Sequence, residues 1–282
     1  MAVRAASSPV LTLVEGQSLA ESQGPRPEWV ETSTSFGVDG ELVYAVGDVH
    51  GCYDLLRSLL AELARDAAER AEGRRPVMVF CGDYIDRGPQ SAEVLDAMLW
   101  LKRRPDVETR LLKGNHEQGL LDFLDDPAAG SAWLRFGGVE TLAAYGVELS
   151  EDESDPERLA GARNDLLDRM PAAHLRLLQS LELMVSVGDY AFVHAGVRPG
   201  RPLRRQTERD LLWIREPFLT FDRPHEKVIV HGHTWTDERP QLHRHRLGLD
   251  TGAYATGVLT AIRIEDRRLG VIQACEADVS RP

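Results

Sequence analysis

After about residue 40 the chain repeats one pattern of apolar and polar positions. A short apolar run is followed by a polar cluster containing glycine, and then by a segment with apolar residues at helical spacing. The predicted strand and helix pairs are 42–46 with 53–72, 77–80 with 91–104, and 109–112 with 116–126. In the first helix, leucines at 55, 56, 59, 60 and 63 form the apolar face, and Gly73 can end the helix. Alternating strands and helices predict an α/β fold.

The remainder of the chain is less regular. Residues 128–180 are predicted to be mostly helical, with the acidic loop SEDESDPE at 150–157, and are interpreted as an inserted subdomain or cap. Later strands are predicted near 183–187, 190–194, 227–231 and 257–264, and a hairpin through 265–268 leads to a final strand at 269–275. Residues 1–40 are rich in Ser, Gly, Pro and Glu without a period, which predicts a flexible leader before one domain at 41–282.

Composition narrows the possible partners. The chain has 282 residues and a formal net charge of -12, which argues against binding to nucleic acid or to an anionic membrane surface. No stretch approaches the roughly 20 apolar residues of a membrane span, and no secretory signal is evident. Its three cysteines show no CxxC spacing, so a disulfide framework or a thiolate zinc site is not predicted. These features favour a cytoplasmic protein, and nothing in them indicates an oligomeric state.

Polar clusters follow five of the predicted strands. They are GDVHG (47–51), GDYIDRG (82–88), GNHE (114–117), VHAG (193–196) and VHGHT (230–234). One such cluster alone is more often a turn or a helix cap, but five at the ends of α/β strands favour a ligand site. Asp48 and His50 are two positions apart, so both side chains point the same way in an extended segment. With Asp83, Asn115, His194 and His233 they form a mixed oxygen and nitrogen set, which suits Mn, Fe or Zn better than Ca or Mg.

This series of motifs resembles the calcineurin-like metallophosphoesterases, in particular the bacterial serine/threonine phosphoprotein phosphatases. The resemblance covers residues 42–275 and extends to the stretches WLRFGGVETLAAYG (133–146), LLWIRE (211–216) and LDTGA (249–253). It implies a four-layer α/β/β/α sandwich with a helical insertion. It also implies a binuclear site for two divalent ions, Mn before Fe or Zn, and a hydroxide shared by the ions that attacks phosphorus in line.

The resemblance further implies a role for each matching residue. The metal ligands would be Asp48, His50, Asp83, Asn115, His194 and His233, with Asp83 bridging the two ions. His116 would protonate the leaving oxygen, and Asp86 would orient the His116 imidazole. Arg87, Asn115 and Arg215 would bind the substrate phosphate, and the two guanidinium groups would stabilise the charge of the transition state.

Other readings stay open for several residues. Arg87 follows Asp86 directly and could form only a surface ion pair, and Arg204, Arg205 or Arg209 could replace Arg215. His231 is expected near the site without being a ligand, and His243 and His245 are expected at the surface. Cys52 and Cys81 are read as small packing residues. Asp250 is expected to fix a loop beside the metals, and Val49 to point into the core.

The substrate is the least determined part. Symmetrical diadenosine tetraphosphatases resemble this group but tend to lack the acid before the Arg in the second motif and to read GNHD in the third. The intact GDYIDRG and GNHE therefore favour phosphomonoesters, including phosphoserine and phosphothreonine in proteins. A dinucleoside tetraphosphatase is the alternative. A catalytically silent binding module is disfavoured because no expected ligand is missing, and a nuclease because the chain has no basic stripe.

Overall fold

The computed structural model describes residues 28–31, 36–149 and 155–279. Eleven strands within these ranges form two sheets. The strands are β1 (Glu28–Glu31), β2 (Leu42–Val46), β3 (Val77–Phe80), β4 (Glu108–Leu111), β5 (Met184–Val187), β6 (Tyr190–Val193), β7 (Val228–His231), β8 (Gln241–Leu242), β9 (Arg246–Gly248), β10 (Val258–Glu265) and β11 (Arg268–Cys275). The first sheet has the order β1-β11-β10-β2-β3-β4 and the second β5-β6-β7-β9-β8.

Each sheet has three adjacent parallel strands that end at a common edge. In the first sheet β2 pairs in parallel with β3 and β3 with β4, with Val46 opposite Phe80 and Phe80 opposite Leu111. In the second sheet β6, β7 and β9 are parallel in the same way. The loops that follow these strands therefore leave from the carboxyl edge of each sheet, where α/β folds place their ligands.

Side chains alternate between the two faces of each strand and so fill two different cores. Along β2, Leu42, Tyr44 and Val46 pack with the helices, whereas Val43 and Ala45 pack in the layer between the sheets. The same inter-sheet layer contains Val79 from β3 and Val230 from β7. The outer face of the second sheet packs against the short helix Glu208–Trp213 and the loop that follows it. The two sheets and their flanking helices confirm the α/β/β/α sandwich.

The helices agree with the predicted pattern. They are Tyr53–Arg70, Ser91–Lys102, Asn115–Asp125, Ser131–Trp133, Val139–Ala144, Pro156–Arg169, Ala172–Gln179, Glu208–Trp213, Ala253–Thr256 and Glu276–Val279. A five-residue π-helix, Leu134–Gly138, lies inside the predicted insertion. No described helix has the length and apolar character needed to cross a membrane.

The structure differs from the sequence-based expectations at a few points. Within the predicted leader, residues 28–31 pair antiparallel with β11 as an edge strand, because β11 offers an open backbone edge there. The short strands β8 and β9 were not predicted, since two or three residues carry too little periodicity. Most of the leader and residues 150–154 of the acidic loop lie outside the described residues.

Candidate active site

Five loops, one after each of β2, β3, β4, β6 and β7, meet at the carboxyl edges of the two sheets. Their backbones are unusual, since His50, Asp83, Asp86, Arg87 and His233 all have positive φ between 46° and 73°. Non-glycine residues rarely adopt this left-handed conformation, and such strain is concentrated at functional sites. The backbone thus turns these side chains toward one point instead of letting them continue along the strands.

The GDVHG and GDYIDRG loops are in direct backbone contact. The N–H of His50 donates to the carbonyl oxygen of Asp83 at 2.9 Å, and the N–H of Gly88 donates to that of His50 at 3.0 Å. A side chain on Gly51 would place its Cβ 2.4 Å from the carbonyl oxygen of Gly88, so glycine is required for this approach. These contacts fix the positions of the two loops relative to each other.

Asp83 lies at the centre of the polar cluster. Its Oδ2 atom is 3.5 Å from Nε2 of His50 and 3.5 Å from Nε2 of His194. Two groups of residues in the described chain converge closely enough to hold a metal ion: His50, Asp83 and His116, and Asp83, His194 and His233. Asp83 belongs to both groups, as a bridging ligand would. The first group contains His116, which was expected to act as an acid instead of a ligand.

The tautomers of two histidines suit the binding of a cation. Nδ1 of His50 is 3.0 Å from the carbonyl oxygen of Ile85, and Nδ1 of His194 is 2.8 Å from that of Cys81. A carbonyl can only accept, so each Nδ1 carries the proton and each Nε2 presents a lone pair. These lone pairs face the Asp83 carboxylate, and Nε2 of His194 is also 2.9 Å from Oδ1 of Asn115. Acceptors facing acceptors fit a bound cation, and histidine ligands typically donate their other N–H to such carbonyls.

Burial keeps the imidazoles neutral, as metal ligation requires. It lowers the pKa of His50 to about 3 and that of His233 to about 2. Burial raises the pKa of the Asp83 carboxyl, but the adjacent histidines in their protonated forms, His194 first, lower it below its ordinary value. Oδ1 of Asp48 is buried without a hydrogen-bond partner, while its Oδ2 accepts from the backbone N–H of His233 at 2.8 Å. The residues present therefore fit divalent cations.

His116 is held differently from the other site histidines. Its Nδ1 lies 2.7 Å from Oδ2 of Asp86, a fully buried carboxylate, and its Nε2 lies 3.8 Å from Asp83. Although burial opposes it, the Asp83 and Asp86 carboxylates raise the pKa of His116 to about 9. A protonated imidazole beside the cluster can donate a proton.

Two arginines predicted to bind phosphate line the same cavity of about 360 Å³, together with Asn115. The guanidinium of Arg87 lies 4.6 Å from the ring centroid of Tyr254 and donates to its hydroxyl oxygen. Arg215 is an exposed part of the cavity lining. Of its alternatives, Arg209 lines an adjoining cavity, whereas Arg204 and Arg205 line neither of the two.

The remaining expectations concern residues around the site. His231 is fully buried, donates from Nδ1 to the carbonyl oxygen of Gly232 at 2.9 Å and lies in neither candidate metal group. Asp250 accepts from the N–H of Gly252 at 2.9 Å and thereby fixes the LDTGA turn beside the cavity. Val49 is buried in the helix-side core.

Four further residues were predicted to lie outside the catalytic set: His243 and His245 at the surface, and Cys52 and Cys81 as packing residues. His243 is exposed and His245 is half-buried. Cys81 is buried and Cys52 is partly buried, and burial raises the pKa of both thiols, so neither is a ready nucleophile.

Some residues of the site were missed from the sequence. The carboxyl group of Glu117 accepts from the backbone N–H groups of Asp83, Tyr84 and Gly114 at 2.7–2.9 Å, so it ties two motifs together. The position of Glu117 at the end of the GNHE motif was the one sequence signal for this role. Tyr254, directly after LDTGA, had no signal of its own, because its contact with Arg87 spans 167 positions.

The sequence matches known phosphoesterases. The family model for the calcineurin-like phosphoesterases matches residues 42–251. The asymmetrical bis(5'-nucleosyl)-tetraphosphatase PrpE of Bacillus subtilis is 28% identical over 242 residues, which cover 78% of this chain and 90% of that relative. The serine/threonine-protein phosphatase 1 of Salmonella typhimurium is 28% identical over 234 residues, covering 79% of this chain and 92% of that relative.

A solved structure shows the same fold. The crystal structure of a putative diadenosine tetraphosphatase superposes with a TM-score of 0.57 at 21% identity and covers 83% of this chain and 94% of that chain. The match of the family model extends over most of the sequence and includes all five loops of the site. The chain therefore belongs to the calcineurin-like phosphoesterase family and is a hydrolase of the metallophosphoesterase class.

Proposed function

We propose that the protein hydrolyses phosphomonoesters and acts as a serine/threonine protein phosphatase. The observation that supports this is the 2.7 Å hydrogen bond between Nδ1 of His116 and Asp86, which leaves Nε2 of His116 facing the cavity. A serine or threonine alkoxide is a strong base and a poor leaving group, so its departure needs a proton donor. A phosphate or nucleotide leaving group is a much weaker base and gains less from one.

The other roles follow from the same arrangement. Asp48, His50 and Asp83 would hold one divalent ion, and Asp83, Asn115, His194 and His233 the second. Bound ions would supply charge neutralisation and an activated water, the usual contributions in two-metal hydrolases. Arg87 and Arg215 would bind the phosphoryl oxygens from the cavity wall, Asn115 would contact the same group, and Asp86 would keep His116 in the correct orientation. We take Mn as the metal.

The test compares substrates and variants of the full chain. Hydrolysis of a phosphothreonine peptide, para-nitrophenyl phosphate and diadenosine tetraphosphate is measured with Mn2+ and with chelator. We expect chelator to abolish activity, and His116→Asn to lower kcat on the peptide by about 10²- to 10⁴-fold. Unchanged rates in chelator or in His116→Asn would refute the mechanism, and a chain inactive on all three substrates would point to a silent binding module.

A dinucleoside polyphosphatase is the second candidate, because two exposed aromatic side chains line the cavity. Phe136 is 49% exposed and Trp213 is 44% exposed, and Trp213 also forms part of the adjoining cavity that contains Arg209. Exposed aromatic rings beside arginine side chains can stack on a nucleobase while the arginines bind its phosphate groups. The printed name of the Bacillus subtilis relative specifies such a substrate.

One substitution separates the two candidates. If Trp213 stacks on a nucleobase, Trp213→Ala should raise KM for diadenosine tetraphosphate about tenfold or more. The KM for the phosphothreonine peptide should stay unchanged. Leu167→Ala is the matched control, since Leu167 is 40% exposed but lies on the helix Pro156–Arg169 away from the cavity lining. Faster cleavage of the dinucleotide than of the peptide, together with this KM effect, would favour the second function over the first.

We further propose a cytoplasmic location and a phosphorylated protein as the partner. The three cysteines are all free in the structure, which suits a reducing compartment.

A further inference from the structure

We propose that Trp133 and Thr141 of the helical insertion are positioning residues for the Asp86–His116 pair. The insertion would then be part of the proton-donating machinery and not only a cap. This inference rests on the proposed function, in which His116 protonates the leaving oxygen.

Asp86 is surrounded by donors from the insertion. Its Oδ2 accepts from Nε1 of Trp133 at 2.8 Å as well as from Nδ1 of His116 at 2.7 Å. Its Oδ1 accepts from the hydroxyl of Thr141 at 2.6 Å. The hydroxyl oxygens of Thr141 and Ser91 also accept from the backbone N–H of Asp86, at 2.9 Å and 3.1 Å. Thr141 therefore contacts both the backbone and the carboxylate of the same residue.

These contacts fix the direction in which Asp86 points. The carboxylate has two rotatable bonds, and a separate donor on each oxygen holds both of them. Trp133 and His116 share Oδ2, so the position of that oxygen, and with it the plane of the His116 ring, depends on the indole N–H. A buried carboxylate without these donors would lose much of the compensation for its desolvation.

Trp133 is itself held in place by two glycines. A Cβ on Gly138 would lie 2.5 Å from the indole, and one on Gly119 would lie 2.9 Å from it. The Phe123 ring packs at a centroid distance of 5.0 Å. This close packing leaves the indole N–H one direction, toward Asp86. It also accounts for Gly138 and for the tryptophan of the stretch WLRFGGVETLAAYG.

Leaving-group dependence separates this role from simple packing. A residue that acts through a proton donor matters for a poor leaving group and much less for a good one. A residue that only stabilises the fold lowers activity on every substrate alike. Phosphothreonine has a poor leaving group, whereas para-nitrophenyl phosphate releases a stabilised phenolate.

The experiment uses the full chain loaded with Mn2+. Trp133→Phe removes the indole N–H, Thr141→Val removes the hydroxyl, and Thr141→Ser restores it. The control is Thr109→Val, because Thr109 is also buried but donates to the carbonyl oxygen of Leu101, away from Asp86. We expect Trp133→Phe and Thr141→Val to lower kcat on a phosphothreonine peptide about 10- to 100-fold with KM unchanged. Rates on para-nitrophenyl phosphate should change little, and Thr141→Ser and Thr109→Val should resemble the wild type.

A second readout needs no turnover. In the metal-free protein, the Nδ1 proton of His116 should give a low-field NMR signal, assigned by its loss in His116→Asn, that shifts in Thr141→Val and Trp133→Phe but not in Thr109→Val. If Trp133→Phe does not fold, the Thr141 variants decide the outcome.

The possible failures are distinguishable. Equal losses on both substrates, or no loss at all, would overturn the inference. If His116→Asn itself leaves phosphothreonine hydrolysis intact, the proposed function fails first. If His116→Asn lowers that hydrolysis while the insertion variants do not, only the present inference fails.

Discussion

The backbone N–H of His233 donates a 2.8 Å hydrogen bond to Oδ2 of Asp48, although the two residues are 185 positions apart and follow strands of different sheets. The second carboxylate oxygen of Asp48 is buried without a partner. Burial, with Asp250 and Asp83 nearby, raises the pKa of Asp48 well above its usual range. A divalent ion would relieve this cost, since a nearby positive charge favours the ionised form of the Asp48 carboxyl.

Metal loading should therefore stabilise the folded protein. At a Mn2+ concentration about a hundredfold above Kd, the free energy of unfolding should rise by about 2.7 kcal/mol. Asp48→Asn should remove most of this increase, as measured by thermal unfolding with and without metal. Asp165→Asn, at an exposed position of the helix Pro156–Arg169, is the control and should keep the full increase. An equal increase in both variants would exclude Asp48 as a ligand.

Gly137 should be intolerant of a side chain. It has a φ of 111°, its carbonyl accepts from the N–H of Arg87 at 3.2 Å, and a Cβ there would lie 2.6 Å from that nitrogen. Gly137→Ala should cost about 1–3 kcal/mol in unfolding free energy and weaken inhibition by inorganic phosphate, because Arg87 is displaced. Gly161→Ala, where a Cβ meets no atom within 4 Å, should be neutral or stabilising by about 0.5–1 kcal/mol. Similar denaturation midpoints for the two variants would contradict this.

Tyr254 should set the orientation of Arg87. Tyr254→Phe keeps the ring under the guanidinium but removes the hydroxyl that accepts its hydrogen bond. We expect KM for phosphomonoesters to rise about tenfold, because hydrogen bonds to charged groups contribute about 1.5–3 kcal/mol. In a double-mutant cycle with Arg87→Ala, the Tyr254→Phe effect should disappear. Additive effects would show that Tyr254 acts independently of Arg87.

Acid stability should depend on Asp210, which accepts from Arg198, Arg201 and Thr207 at the start of the helix Glu208–Trp213. The hydrogen bonds from Arg198 hold its pKa below the ordinary value of 3.8. A group whose pKa is lower in the folded state stabilises the fold above its ordinary pKa, and the stabilisation is lost as the pH falls through the folded-state pKa. Asp210→Asn should therefore flatten the loss of unfolding free energy below pH 3.8, as followed by denaturant titrations. Asp165→Asn, the control, should lose unfolding free energy below pH 3.8 as the wild type does.

Much of the architecture was accessible from local sequence. The apolar run of β2 predicts a strand, and glycine-flanked polar clusters mark the strand ends that carry Asp48, Asp83 and His194. These signals are local, because side-chain period and turn chemistry act over a few residues.

The contacts that complete the site are not local. Trp133 reaches Asp86 across 47 positions and Thr141 across 55, and neither residue type marks a catalytic role. Tyr254 contacts Arg87 across 167 positions. Edge strand β1 likewise depends on the free edge of β11 and not on a periodic pattern of its own.

Asp83 joins the first sheet to His194 and His233 of the second, so the distance between the two candidate metal positions is set by how the sheets pack. The hydrophobic layer that contains Val79 and Val230 thus acts as a spacer for the chemistry at its edge. A change of side-chain volume in this layer would therefore alter the distance between the two candidate metal positions without changing any polar residue. The packing between the sheets would thus help to determine how the groups of the candidate site are aligned.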